Sequence, residues 1–201
     1  MRNTAIGSYR SRPKKAAGVA LGVAALAGAL MVATSSGSAS GAGWEGTAVL
    51  RDVSGNKVGK VKFEGDDHGT VVKATLNGVT VGLDGYHGFH LHANDAGAQC
   101  DPEAAAGTFT NVGGHWNPTA QDHGSHAGDL PSIQVLLDGS GSARSLTGRF
   151  SPTDIAGRAV ILHALPDNFG NIPSRYGSAD ATTEGTGDAG GRIACGIVAL
   201  D

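Results

Sequence analysis

Eight short segments in which apolar and polar residues alternate constrain this chain more than any other feature. Alternation with a period of two places the apolar side chains on one face of a β-strand, and none of these segments carries the apolar stripe of an amphipathic helix. The pattern therefore predicts an all-β protein with eight strands. The segments are residues 47–53, 58–63, 70–76, 86–92, 133–137, 145–150, 159–165 and 193–200.

The connections between these segments are of two kinds. Short ones carry turn signals such as Asn77-Gly78, which supply the positive φ that tight connections require. Two are long and aperiodic, residues 93–129 and 167–191, and loops of this length in a compact domain usually carry function. Together with 33 glycines, which weaken helices, this favours a small antiparallel sandwich or barrel and excludes a helical bundle.

The N-terminal 40 residues have the composition of an export signal. Residues 1–15 contain five basic residues and no acidic one, residues 16–33 are a run of small apolar side chains, and small residues follow. A membrane anchor is the alternative, because 18 apolar residues can just span a bilayer. We predict a secretory signal peptide at 1–40, one domain at 41–201, and no stable membrane insertion after cleavage.

Charge and cysteine content narrow the possible partners and compartment. Ten basic and eighteen acidic residues follow residue 40, a net charge of −8. Nucleic-acid binding needs clustered Lys and Arg, so we expect no nucleic-acid partner, and an anionic substrate would need a local positive site. The only two cysteines, Cys100 and Cys195, most simply form a disulfide in an exported protein.

Three histidines are predicted to meet outside the sheet. His90 and His92 lie two residues apart on a predicted strand, so they project from the same face while Phe89 and Leu91 face the core. His163 ends another predicted strand. Imidazole ligands suit zinc, copper, iron or nickel, and four nitrogens in a tetragonal arrangement favour Cu(II).

A second group of metal-binding residue types lies inside the first long loop. Three imidazoles and a carboxylate suit a tetrahedral zinc site, so the residues alone indicate a protein with two metal sites. The loop group is His115, His123, His126 and Asp129. We assign the two remaining histidines to other roles, His68 to a surface turn and His87 to structural hydrogen bonding.

At these residues the chain resembles the copper/zinc superoxide dismutases. The resemblance runs from about residue 47 to residue 200, and the longer segment between Cys100 and His115 resembles the bacterial branch. Five segments match family signatures in the right order: residues 87–92 (HGFHLH), 113–118 (GGHWNP), 126–130 (HAGDL), 157–163 (GRAVILH) and 192–196 (RIACG).

The resemblance implies a role for each site residue. Arg192 would guide the anionic substrate, and Asp167 would link ligands of the two metals. His115 would bridge the metals and serve as a proton donor. Cys100 and Cys195 would form the intrachain disulfide. Copper would be held by His90, His92, His115 and His163, and zinc by His115, His123, His126 and Asp129.

The resemblance also implies a fold, an activity and a location. The fold is an eight-stranded antiparallel Greek-key β-barrel or sandwich of the immunoglobulin-like type with two long functional loops. The activity is conversion of superoxide to oxygen and hydrogen peroxide by alternate reduction and reoxidation of copper, in a secreted or envelope-associated bacterial protein, with a homodimer as one option. Three alternatives remain: a copper-only variant, a secreted copper-binding or metal-buffering protein without catalysis, and a structural or adhesive sandwich, against which the histidine set argues.

Overall fold

The computed structural model describes residues 43–80 and 83–201, and the predicted signal peptide at 1–40 lies outside them. Nearly all of the regular structure is β. One short α-helix, α1, spans Ala181–Thr186. The strands are β1 (Glu45–Asp52), β2 (Lys57–Asp66), β3 (Gly69–Leu76), β4 (Gly85–His92), β5 (Asp129–Val135), β6 (Gly141–Thr147), β7 (Ala159–His163), β8 (Arg192–Ile197) and β9 (Ala199–Leu200).

The strands form one antiparallel sheet that curves into a nearly closed barrel. Their order is β5-β4-β7-β8-β1-β2-β3-β6, with the two-residue β9 paired to β1 off this path. The first three strands follow one another as hairpins and a tight turn leads from β5 to β6, whereas β4 and β7 are reached by crossing connections of the Greek-key kind. The end strands β5 and β6 lie next to each other without pairing. The predicted all-β barrel is confirmed.

The inward faces of the strands supply the main core. Leu50, Phe63, Leu91, Ile133 and Leu162 are completely buried there. A second, smaller cluster lies between the outer face of β7 and β8 and the first long loop, and it contains Phe109, Val112, Ala159, Ile161 and Cys195. The barrel thus buries both faces of β7, so this strand is held rigidly on both sides.

Four details differ from the predicted elements. β6 lies at Gly141–Thr147 and not at 145–150, because residues 141–144 already pair with β3. β5 begins at Asp129, four residues early, because Asp129 and Leu130 pair with β4. The last predicted strand is divided at Val198, which bonds to Arg158 instead of continuing the ladder. The second long loop contains α1, which is N-capped by the Asp180 side chain and is too short to show a periodic pattern. Among the described residues, no helix has the length and apolar character needed to cross a bilayer.

Candidate metal centre

Four histidines from three parts of the chain meet on the outer face of the barrel. We call His90, His92, His115 and His163 the four-histidine cluster. β4 and β7 are antiparallel neighbours, which brings His90 and His92 of β4 close to His163 of β7. His115 joins them through an isolated bridge to His92. Each residue can offer one nitrogen so that all four lie within 4.8 Å of one another, and all four residues are buried.

A second cluster shares His115 with the first. We call His115, His123, His126 and Asp129 the three-histidine–aspartate cluster. The Oδ1 atom of Asp129 lies 3.2 Å from Nδ1 of His115 and 3.3 Å from Nδ1 of His126, and its Oδ2 lies 3.4 Å from Nδ1 of His123. Three ring nitrogens therefore converge on one carboxylate. His123 and His126 are separated by only two residues, and this short loop still lets both rings reach Asp129.

Hydrogen bonds at the far side of the rings fix which nitrogen carries hydrogen. Asp167 accepts from Nε2 of His90 at 2.7 Å and from Nε2 of His123 at 2.8 Å, so it joins the two clusters. Backbone carbonyls accept from Nδ1 of His92 and Nδ1 of His163. Each of these four rings therefore keeps its lone pair on the nitrogen that faces into the cluster.

The inward nitrogens lack partners, which tests whether these residues fit a metal ion. Among the described residues, only five buried side-chain polar atoms have no hydrogen-bond partner, and four of them are ring nitrogens of the clusters: His90 Nδ1, His115 Nε2, His123 Nδ1 and His126 Nδ1. In addition, Nε2 of His92 and Nε2 of His163 lie only 3.3 Å apart. Buried lone pairs that face one another are costly unless a cation binds them, so the residues fit metal ions.

Burial keeps His92, His115 and His163 in the neutral form that can bind a metal ion. It lowers the pKa of His115 to about 4 and that of His163 to about 3, and it lowers the pKa of His92 well below its usual value. Although burial opposes it, hydrogen bonds from His123 and His90 hold the pKa of Asp167 well below its usual range. At neutral pH the rings named here are uncharged and Asp167 is an anion, as metal ligation and its support require.

Arg192 begins β8 and lies beside the four-histidine cluster. Its strand partner is His163, and its guanidinium donates to the carbonyls of Phe109 at 2.6 Å and Gly113 at 2.7 Å. The Gly113 carbonyl also accepts from His92. Arg192 is partly buried, and its charge contributes, after burial and neighbouring histidines, to the low pKa of His92 and His163. A fixed positive charge thus lies at the cluster.

A disulfide fixes the loop that holds Arg192. Cys100 and Cys195 are bonded, as predicted, and this ties the first long loop to β8. Phe109 packs in the same cluster as both cysteines. The carbonyls that hold Arg192 therefore belong to a loop segment anchored by the disulfide.

Sequence reasoning missed two residues that support the site. Arg149 donates to the carbonyls of His126 and Asp129, both at 3.0 Å, and to that of Gly124 at 3.1 Å, so one guanidinium braces the whole short loop. Gly187 ends α1 at φ 60°, where an added Cβ would collide with Asp167 and His123. Neither residue has a local sequence signal, because both act through tertiary contacts.

The two histidines assigned elsewhere lie outside both clusters. His68 is exposed, and His87 is buried with its ring nitrogens 2.8 Å from the His163 carbonyl and 2.7 Å from the Leu83 carbonyl. The structure therefore brings all of the predicted ligands together, and it places Asp167 and Arg192 beside them. His68 and His87 are members of neither cluster.

The chain matches known proteins over most of its length. Residues 57–198 match the family model described as copper/zinc superoxide dismutase. A Cu-Zn superoxide dismutase of Mycolicibacterium paratuberculosis is 37% identical over 170 residues, which cover 76% of this chain and 73% of that protein. One from Mycobacterium tuberculosis is 38% identical over 76% of this chain and 69% of its own length, and one from Haemophilus parainfluenzae is 35% identical over 74% and 78%.

A solved structure is similar to this chain in fold. The crystal structure of the clock protein EA4 superposes with a TM-score of 0.59 at 27% identity, covering 77% of this chain and 93% of that one. Family model, relatives and the fit of the residues to metal ions lead to one conclusion. The chain belongs to the copper/zinc superoxide dismutase family, and it is an oxidoreductase that dismutates superoxide with copper and zinc as its cofactors.

Proposed function

We propose that superoxide is dismutated at the four-histidine cluster with copper bound there, and that zinc binds the three-histidine–aspartate cluster. The single observation that carries this assignment is the set of buried, unpartnered ring nitrogens directed into the two clusters. The four-nitrogen donor set suits copper, and the set of three nitrogens and one oxygen suits tetrahedral zinc. Copper supplies the one-electron redox chemistry, which zinc lacks.

Arg192 binds the substrate in this proposal. Superoxide is an anion and the chain beyond residue 40 carries −8, so the overall field repels it and a local positive charge must outweigh this repulsion. The guanidinium is held by two carbonyls beside His92 and His163, which leaves it little freedom to move away. It therefore orients the anion towards the four-histidine cluster.

His115 and Asp167 complete the machinery. His115 belongs to both clusters, and its Nε2 is the atom on the side of the four-histidine cluster. That nitrogen is placed to hold a proton and pass it to the peroxide product, which needs protons to leave as hydrogen peroxide. Asp167 orients His90 and His123 from behind and keeps their inward nitrogens free for metal.

Metal content measured together with superoxide consumption tests this assignment. The purified protein should contain about one copper and one zinc per chain, and activity should disappear with copper removal and return with copper alone. Activity with copper and no bound zinc would support the copper-only variant. Bound copper without activity would refute catalysis and support the metal-buffering alternative.

A matched pair of variants separates the two clusters. His163→Ala removes a ligand that only the four-histidine cluster uses, and His126→Ala removes one that only the other cluster uses. The first should abolish activity and lower copper content while zinc stays bound, and the second should lower zinc content first. Equal loss of both metals in both variants would contradict two separate sites.

We further propose that residues 1–40 are removed on export and that 41–201 is the working domain, secreted or associated with the cell envelope and without stable membrane insertion. The basic and then apolar N-terminal composition and the Cys100–Cys195 disulfide, which needs an oxidising compartment, support this. N-terminal sequencing of the exported protein tests the boundary, and sedimentation analysis tests the homodimer. A retained N-terminus would contradict cleavage.

A further inference from the structure

Most of the positive charge of the described chain lies on the outward side of four neighbouring strands that carry no residue of either metal cluster. Of the ten basic residues that follow residue 40, six project outward from the neighbouring strands β1, β2, β3 and β6. They include all four lysines among the described residues. We call this surface the basic face; its residues are Arg51, Lys57, Lys60, Lys62, Lys73 and Arg144.

The strand register places like charges directly opposite one another. Lys62 is paired with Lys73, and Lys73 is paired with Arg144, so three cations cross three strands in a row. Arg51 is likewise opposite Lys57. Like charges in directly opposite positions destabilise a sheet. An arrangement that costs stability and recurs at neighbouring positions indicates a use for concentrated positive charge.

Two outward acidic residues, Glu45 and Glu64, lie opposite each other on β1 and β2 and compensate the basic face in part. Glu64 pairs with Lys73 at 2.5 Å, and this bond together with the charges of Lys62 and Arg144 lowers the pKa of Glu64. Lys60, Lys62 and Arg144 form no ion pair within the described part of the chain. Their charges are therefore available to an external anion.

The other four basic residues are engaged elsewhere. Arg149, Arg158 and Arg192 donate to backbone carbonyls of the loops, and Arg175 stacks on the Tyr176 ring. The strand ligands of the four-histidine cluster lie on β4 and β7, outside the four strands of the basic face. The basic face and the metal ligands therefore lie on different strands of the barrel.

We propose that the basic face binds a linear polyanion whose charges are phosphate groups. Paired backbone positions on neighbouring strands are about 4.8 Å apart and alternate positions along a strand about 6.8 Å apart, so the cations start from closely spaced points and can contact successive charges of an extended anion. Lysine ammonium groups bind phosphate as point charges. The proposal concerns a surface separate from the metal centre and does not depend on the catalytic assignment.

The outward residues of these strands favour a polymer without bases over other anionic partners. No outward residue within these four strands is aromatic, and Trp44, which is 52% exposed, lies just before β1 at the edge of the basic face. A single ring at the edge does not make the row of rings on which successive nucleic-acid bases stack. Membrane-interface surfaces combine basic residues with a large apolar face, whereas the outward residues between these cations are mostly small or polar. A base-free phosphate polymer needs neither feature.

Binding of the purified protein to long-chain inorganic polyphosphate tests the proposal. Wild-type protein should bind with an affinity that falls steeply with salt, with a log–log slope of about −4 if all six cations take part. The variant Lys60→Gln/Lys62→Gln/Arg144→Gln breaks no ion pair. It should bind at least about tenfold more weakly, with a slope smaller by about 2. Its activity per bound copper should match wild type.

Matched controls separate the basic face from overall charge. Lys62→Gln and Arg175→Gln remove the same charge on and off the basic face, so only the first should weaken binding. Lys60→Arg/Lys62→Arg should retain it. Unchanged binding by the triple variant, or equal loss in Arg175→Gln, would overturn the proposal. Wild-type binding to anionic phospholipid vesicles or to single-stranded DNA, but not to polyphosphate, would assign the basic face to a different partner and also overturn it.

Discussion

Removal of the Cys100–Cys195 disulfide should lower both stability and activity, for two separable reasons. The perturbation is the double variant Cys100→Ala/Cys195→Ala, which leaves no unpaired thiol. The bond closes a loop with a sequence separation of 95 residues, and Cys195 is only 1% exposed. In the chain-entropy treatment, a loop of this length contributes about 4.7 kcal/mol to the free energy of unfolding.

Urea unfolding of the metal-free protein measures this free energy directly. For a domain of this size, the expected loss corresponds to a decrease in Tm of roughly 10 to 19 °C. Wild-type protein treated with a thiol reductant is the matched control and should show a similar loss. A free energy of unfolding within about 1 kcal/mol of wild type would refute the loop-closure argument.

The effect on activity follows from Arg192. The segment whose Phe109 and Gly113 carbonyls hold its guanidinium is anchored by the disulfide. Loss of the bond should therefore lower the superoxide rate at low salt by up to about tenfold, while copper content stays the same. An unchanged rate per bound copper would show that the loop holds Arg192 without the disulfide.

Four further predictions follow from the same geometry. Arg192→Ala should lower kcat/KM at low salt by about tenfold or more and flatten its salt dependence with copper still bound; Arg175→Ala, the control, should leave both unchanged. Asp167→Asn should weaken zinc binding by about 10- to 100-fold in a chelator competition assay. The side-chain NH2 of asparagine replaces one carboxylate oxygen, so it cannot accept from both His90 and His123. Arg149→Met should accelerate zinc release, measured with a chromogenic chelator, while copper release stays at the wild-type rate. Burial lowers the pKa of His163 from 6.5 to about 3, so between these values the unfolded metal-free chain takes up a proton that the folded chain does not. Its free energy of unfolding should thus fall as pH falls, by roughly 1 kcal/mol from pH 6 to pH 5 for this residue, and a flat urea midpoint across that range would contradict the buried neutral ring.

Local pattern was enough to predict the strands and most members of the two side-chain clusters. His90 and His92 share a face because successive strand residues alternate, and that rule needs no knowledge of the fold. Strand boundaries were less exact where pairing decides them, as at Asp129, which joins β5 because β4 offers it a partner. The helix α1 was missed because six residues are too few to show a helical period.

The sequence by itself determined the composition of the site, and the tertiary structure decided its arrangement. Spacing placed a histidine set and a carboxylate in one region, and the family signatures assigned them to two metals. Only the folded chain brings Asp167 between His90 and His123, and only there does Arg149 brace the short loop. The strand register, which no local pattern reveals, aligns Lys62 with Lys73. These contacts join residues distant in sequence, so pairing and packing across the barrel create them, whereas the alternation of a strand is a property of the chain alone.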